Sequence, residues 1–262
     1  MIDLHCHILP GADDGPSSLE ESLSMAKTAV EDGIDTILAT AHTLNGVYIN
    51  PIEQVASMVD DLQQILTRNR IDLKLHAACE VHLCPHMLER VKGGDAGTIN
   101  NAGKYMLLEL PSQTIPERVK DEVFSLKLNG ITPIITHPER NPHIQQDLDI
   151  LYELVSMGAL SQVTSFSVTG DFGMLVRRSA ETLLKHRLCH IIASDGHSAD
   201  SRPPVLSQAV DDAAEILGNY EEAERMVSEI PAAILSGKAL EVSEPTRPRN
   251  KYRFYKKLLD WF

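Results

Sequence analysis

"IDTILATAH", residues 34–42, is an apolar, β-branched run that ends on an imidazole. Residues of this type suit a pleated, half-buried strand, which would leave His42 at its C-terminal end. The fold then depends on whether the chain does this once or repeatedly, because strands alternating with helices build a parallel sheet.

The pattern repeats in both directions. Upstream, "MIDLHCHI" (1–8) has the short mixed pattern of a strand, with His5 and His7 two apart and so on one face. A helix should lie between these two runs. Ser18 and Glu21 form a capping box ahead of Leu19, Leu23, Ala26 and Val30, and Gly33 suits the helix end. Downstream, a helix around 51–68 leads to "LKLHAACEV" (73–81), closing on Glu80. Weakly structured residues 85–101 lead to "KYMLLELP" (104–111) with Glu109, and a helix at 116–129 leads to "ITPIITHPER" (131–140) with His137. A helix at 147–157 leads to "LSQVTS" (160–165), and a last helix near 172–186 leads to "LCHIIASDGH" (188–197) with Asp195 and His197.

Seven runs alternate with helices, and six of them end in His, Asp or Glu. The class is therefore α/β. A β/α barrel turns the C-terminal ends of all its strands to one mouth, where such groups would converge. A doubly wound sheet would gather its site at one switch point instead.

Composition allows this. The chain has 262 residues, 43% of them hydrophobic and 23% charged, as in an ordinary soluble domain. No run approaches the ~18 apolar residues of a membrane span, and Asp3, His5, His7 and Asp13 interrupt the place of a signal peptide's apolar segment, so a cytoplasmic location is expected. Cys6, Cys79, Cys84 and Cys189 form no CxxC element, which favours reduced thiols. A formal charge of -13 argues against nucleic acid as a partner of the whole protein.

The charge is uneven: residues 246–262 carry six Lys or Arg and one Asp, a net +5, leaving -18 for residues 1–245. We divide the chain accordingly into a 1–245 domain and a 246–262 basic tail, which also holds five of the chain's twelve aromatics. The tail could pack on the acidic body or a neighbouring subunit. Its basic and aromatic content also suits contact with an anionic membrane surface or a membrane-bound kinase.

Singly, each strand-end residue has an ordinary explanation: a hydrogen-bonded histidine, or in Asp14 a turn residue before Gly15. Jointly, His5, His7, Asp14, His42, Glu80, Glu109, His137, Asp195 and His197 all fall at one end of the expected barrel. Carboxylates on apolar strands are costly to bury without a partner, and cations would provide one. Nine candidates exceed the needs of one tetrahedral zinc, so two or three ions bridged by a carboxylate fit better. Imidazole and carboxylate without thiolate suit zinc, manganese or iron.

HxH at 5–7, "DDG" at 13–15, His42, "HPER" at 137–140, "ASDGH" at 193–197 and "RPP" at 202–204 resemble the polymerase and histidinol phosphatase (PHP) superfamily. Within it they are most similar to the bacterial metal-dependent protein tyrosine phosphatases of the CpsB/YwqE type, over roughly residues 1–240. The resemblance implies a distorted (β/α)7 TIM-like barrel of the PHP type with three divalent metal ions, manganese above iron or zinc. It places His5, His7, Glu80 and Asp195 on the first ion, with Glu80 bridging to a second held also by Glu109 and His137, and puts Asp14, His42 and His197 on the third. It sets Arg140 and Arg202 beside the substrate phosphate, a role that suits their forked donors. The chain departs from the pattern in having Ala41 and Thr43 around His42, where similar proteins carry Pro and then His or Arg.

The activity expected is metal-dependent hydrolysis of a phosphate monoester, with the two arginines neutralising the phosphoryl oxygens. The substrate implied is phosphotyrosine on a membrane-associated bacterial tyrosine kinase that regulates capsular or exopolysaccharide synthesis. The rival readings are a small-molecule phosphatase, such as one for histidinol phosphate, and a metal-stabilised module without turnover. Cys84 and Arg90 share the C-x5-R spacing of cysteine-dependent phosphatases, but Pro85 lacks a donor and Glu89 would repel phosphate. His82 and His143 follow ligand-bearing segments and could line the mouth, whereas His190 starts its strand at the opposite end.

Overall fold

A computed structural model of the protein describes residues 1–248. Seven strands, β1 (Ile2–Cys6), β2 (Thr36–Thr43), β3 (Lys74–His82), β4 (Tyr105–Glu109), β5 (Thr132–Thr136), β6 (Leu160–Thr164) and β7 (Ile191–Ala193), pair in that order and all in parallel. The edges meet: Cys6 bridges Gly196, the His7 N–H donates to the Gly196 carbonyl (2.8 Å), and the Asp195 N–H donates to that of His5 (2.8 Å). The result is the expected seven-stranded TIM-like barrel.

The period of two along a strand explains where the strand-end His, Glu and Asp side chains fall. Leu4, Leu38, Ala78, Leu107, Ile134, Leu160 and Ile191, one per strand, form a buried cluster inside the barrel. Two or four residues onward on the same face stand His42, Glu80, Glu109, Gln162 and Asp195. The intervening Ala39, Cys79, Val81, Leu108, Ile135, Val163 and Ile192 face outward into the larger core under the helices. β1 is the exception, since Leu4 and His5 are adjacent yet both point inward. Between the pairs Asp3–Ile37 and Cys6–Ala39, β1 advances three residues against two, a bulge that changes its phase. Cys6 consequently packs in the outer core.

The helices over 19–31, 52–68, 119–128, 149–156 and 174–185 agree with the reading of the sequence. Ser18 caps the first, accepting from the Glu21 N–H (3.3 Å), while the Glu21 carboxylate reaches the Ser17 N–H (3.0 Å), one residue earlier than a strict capping box. The stretch 85–101 is more ordered than expected, with a helix at Met87–Gly93 and a single tight turn at Ile99–Asn101. Three helices after β7, Ser207–Leu217, Tyr220–Arg225 and Glu229–Leu235, were not anticipated. The last closes the barrel floor, where Ile234 joins the interior cluster, and in the turn before it the Val227 carbonyl accepts from the Ile2 N–H (2.7 Å).

No helix among the described residues is long and apolar enough to cross a membrane. Most of the basic aromatic tail lies outside the described residues. Its first three lie against the body: the Thr246 N–H donates to the His186 carbonyl (2.9 Å), and Arg247 makes two bonds to Asp149 (2.8 and 2.9 Å).

His190, at the floor, has a structural role. It is 6% exposed, and its Nδ1 accepts from the Ser161 N–H (3.1 Å). Burial pushes its pKa down to about 4. In the unfolded chain it titrates near ~6.5, so between these values the unfolded state binds a proton the folded state does not. Stability therefore falls as pH falls through that window, by about 2 kcal/mol between pH ~7 and ~5. His190→Asn keeps an acceptor for Ser161 without the titration. Urea unfolding at the two pH values should show a smaller acid loss in the variant; equal losses would refute the assignment.

Candidate metal centre

The mouth of the barrel gathers all nine side chains singled out in the sequence. The turn after β1 is held close by Gly15, where a Cβ would lie 2.5 Å from the His7 carbonyl oxygen. Only glycine allows that approach, and it presses Asp13 and Asp14 onto the site.

The first corner is fully buried. His5 Nε2 and His7 Nε2 stand 3.0 Å apart. Glu80 Oε2 lies 3.3 and 3.4 Å from them, and Asp195 Oδ1 lies 3.5 Å from each. The far nitrogens settle the tautomers: His5 Nδ1 faces the Gln162 Oε1 (2.9 Å) and His7 Nδ1 faces the Asp13 carboxylate (2.7 Å), both acceptors. Both Nδ1 atoms are thus donors, so each ring, once a cation displaces its second proton, turns an Nε2 lone pair inward. In that state two lone pairs and two carboxylate oxygens face one point. Glu80 Oε2 is buried without a hydrogen bond. A divalent cation satisfies this arrangement, and the residues fit one.

Glu80 turns its other oxygen to a second group. Oε1 accepts from the Thr136 hydroxyl (2.7 Å) and lies 2.9 Å from His137 Nε2, which is 4.0 Å from Glu109 Oε1. His42 Nδ1, also buried without a hydrogen bond, lies 3.1 Å from Glu80 Oε2 and 3.9 Å from Glu109 Oε2. A third group follows on the outer side: Asp14 Oδ1 is 3.5 Å from His42 Nε2 and 3.6 Å from His197 Nε2. His42 therefore faces the second group with one nitrogen and the third with the other, where the resemblance placed it with the third alone. The His7 ring lies between those of His42 and His197, tilted to both, with centroids 4.6 and 4.0 Å away.

Charge is balanced around this core. Burial alone would lower His5 and His7, but Glu80 and Asp195 raise His5, and the hydrogen bonds to Asp13 and Glu80 raise His7 well above its ordinary value, so that without a cation protons on these rings supply the positive charge the carboxylates call for. Burial would likewise raise Glu80 and Asp195. His5 and His137 instead hold Glu80 well below the carboxylate range, and Arg140 with His5 does the same for Asp195. His197 is pushed down to about 3 by burial and then by His7, which keeps it neutral and able to donate a lone pair.

Asp195 also joins the cluster to the arginines. Its Oδ2 accepts from Arg140 Nη2 (2.5 Å) and Arg202 Nη2 (2.7 Å). Both guanidinium groups thus stand at the edge of the cluster, part-exposed at the mouth.

The sequence reading missed the residues that orient these ligands. Asp13 holds His7 and accepts from the His42 N–H (2.9 Å), and Gln162 holds His5. "DDG" offered both aspartates; Gln162 lies on the one run without an ionisable end and carried no signal. His82 belongs here too, its Nδ1 3.1 Å from Glu109 Oε2, whereas His143 bonds the Gln113 carbonyl (2.8 Å) outside the cluster. Around His42, Ala41 is buried and the Thr43 hydroxyl accepts from the Asn50 N–H (3.1 Å), while the Asn50 amide donates to the His42 carbonyl (2.8 Å). These flanks fix the backbone of the ligand.

The C-x5-R pair forms no phosphate cradle. Cys84 Sγ lies against Met87 Sδ (3.6 Å), burial raises its thiol, and Arg90 pairs with Asp95 (3.0 Å).

A family model described as capsular polysaccharide synthesis, CpsB/CapC, matches residues 1–236. Tyrosine-protein phosphatase YwqE of Bacillus subtilis is 38% identical over 202 residues, 77% of this chain and 79% of its own. Tyrosine-protein phosphatase CpsB of Streptococcus pneumoniae is 31% identical over 216 residues, 80% of this chain and 88% of its own. A crystal structure from work on these two proteins, described as unique metal-dependent tyrosine phosphatases, superposes with a TM-score of 0.90 at 33% identity, covering 95% of this chain and all of the other.

Proposed function

The chain belongs to the CpsB/CapC family of capsular polysaccharide synthesis, and we propose on that premise that it is a metal-dependent phosphatase of phosphotyrosine proteins, with residues 1–245 as its catalytic unit. The observation that carries the reading is the single point faced by two imidazole lone pairs and two carboxylates, tied through Asp195 to two guanidinium groups. Three divalent ions, manganese above iron or zinc, fit the three groups of donors. His5, His7, Glu80 and Asp195 would hold one, with Glu80 shared by a second at Glu109 and His137. Asp14, His42 and His197 would hold the third.

The chemistry such ions supply is Lewis-acid charge for the phosphoryl oxygens and water acidified toward pH ~7. The protein's own groups do the rest. Arg140 and Arg202, already converged on Asp195, offer paired donors to the phosphoryl oxygens and to the charge that develops on them. Asp13 and Gln162 retain the Nδ1 protons of His7 and His5, so neither ring can rotate its lone pair away. Tyrosine's phenolate leaves without a dedicated acid, since its pKa is ~10. All four cysteines are free thiols, which supports action in the reducing cytoplasm. The substrate we infer is a membrane-associated bacterial tyrosine kinase of polysaccharide export.

The test is a panel of phosphotyrosine peptide, the same peptide with phosphoserine, and histidinol phosphate. It is run after chelation and after readdition of manganese, ferrous iron or zinc. Phosphotyrosine should be hydrolysed fastest, with activity lost on chelation and regained with metal, and Cys84→Ser should match wild type throughout. A preference for histidinol phosphate would replace the reading with a small-molecule one, and no turnover with any metal would leave a binding module.

A further inference from the structure

Arg140 and Arg202 share a ring as well as a carboxylate. Their Cζ atoms lie 5.4 and 5.7 Å from the centroid of Phe172, within the range of cation–π attraction. This ring lies in the turn between the helices Ser165–Thr169 and Met174–Lys185 and is only half-buried, beside the mouth. Its loop is fixed. Glu139, fully buried and next to Arg140, accepts from the Thr164 N–H (3.0 Å) and the Ser167 hydroxyl (2.6 Å). Gly170 and Gly173, at φ 96° and 91°, turn the chain on either side of Phe172. Phe166 meets the ring edge-on, with centroids 5.7 Å apart.

Resting on the phosphatase reading above, we propose that Phe172 is the specificity-determining residue, the aromatic wall that receives the tyrosyl ring while the arginines hold its phosphate. A phosphoryl group accepting from both guanidinium groups at ~2.9 Å sits beside this ring. An aryl group one ester bond further falls within the ~4.5–7 Å centroid range of favourable aromatic pairs. A seryl phosphate brings only a methylene there and gains far less contact. Selection for aryl phosphates thus has a binding component, separate from the ease with which phenolate leaves.

Phosphonates that cannot be cleaved isolate that component. Calorimetric titration of the metal-loaded protein with benzylphosphonate and methylphosphonate should show a preference for the benzyl compound. Phe172→Leu should reduce this preference about tenfold, the scale of one aromatic contact, with methylphosphonate binding unchanged, and Phe172→Tyr should keep it. Phe172→Met serves the same comparison if the leucine variant does not fold. Equal weakening toward both phosphonates in Phe172→Leu would mean that the ring only supports the arginines, and would overturn the proposal. A wild-type protein that hydrolyses phosphotyrosine peptide yet binds the two phosphonates alike would overturn this inference alone. Failure to hydrolyse phosphotyrosine in the panel above would overturn the functional reading and this inference with it.

Discussion

Asp195→Asn is expected to lower kcat/KM for an aryl phosphate by at least about a thousandfold, since one preorganised donor to a transition state is worth ~10²–10³ and this change disturbs two of them. Asp195 uses its oxygens for different purposes: Oδ1 faces His5 and His7, and Oδ2 holds Arg140 and Arg202. Asparagine has one oxygen, so either the cation corner gains an N–H₂ where an electron pair is needed, or the arginines lose their common acceptor. The substitution suits the backbone, because Asp195 sits at φ 51° and Asn tolerates that left-handed conformation best after glycine. A cooperative thermal transition with absent activity is the expected outcome. Near wild-type kcat/KM would remove Asp195 from the site.

The same residue shows how barrel closure and chemistry are joined. The Asp195 N–H bonds the His5 carbonyl, and the His7 N–H bonds that of Gly196, so the bonds that close the barrel after β7 and β1 are made by the backbone of candidate ligands and of the glycine between two of them. Metal affinity should therefore be coupled to closure of the barrel, since a cation that binds only the closed form stabilises it.

Much of this was legible in the sequence because strand ends carry information that helices do not. Ionisable residues at the end of six apolar runs pointed to one mouth, and the fold brings those side chains together there. What stayed hidden depended on contacts between distant elements. The bulge in β1 lies inside an ordinary-looking run, and without it the period of two would send Leu4 and His5 to opposite faces. Gln162 acts only through a ring contributed 157 residues earlier. Phe172 is one phenylalanine among five until the fold brings two arginines to it. The three final helices were overlooked because the strand pattern ends before them.

Glu80→Gln tests the centre of the arrangement. Glu80 is fully buried. Oε1 is engaged by Thr136 and His137, while Oε2 faces His5, His7 and His42 at 3.3, 3.4 and 3.1 Å. Glutamine is nearly isosteric, and its amide nitrogen would donate to one of the inward imidazole lone pairs. The metal-free fold should therefore tolerate the change. A cation at that point, however, would lose an anionic ligand and meet a donor in its place. Metal analysis of the purified variant should show at least one ion fewer per chain than wild type. Hydrolysis should fall by more than about a hundredfold, beyond the usual cost of losing a group that merely orients a ligand. If the variant keeps the wild-type metal content, Glu80 is not the shared ligand, and the buried carboxylate must be explained by its hydrogen bond to Thr136 and its pairing with His137 alone.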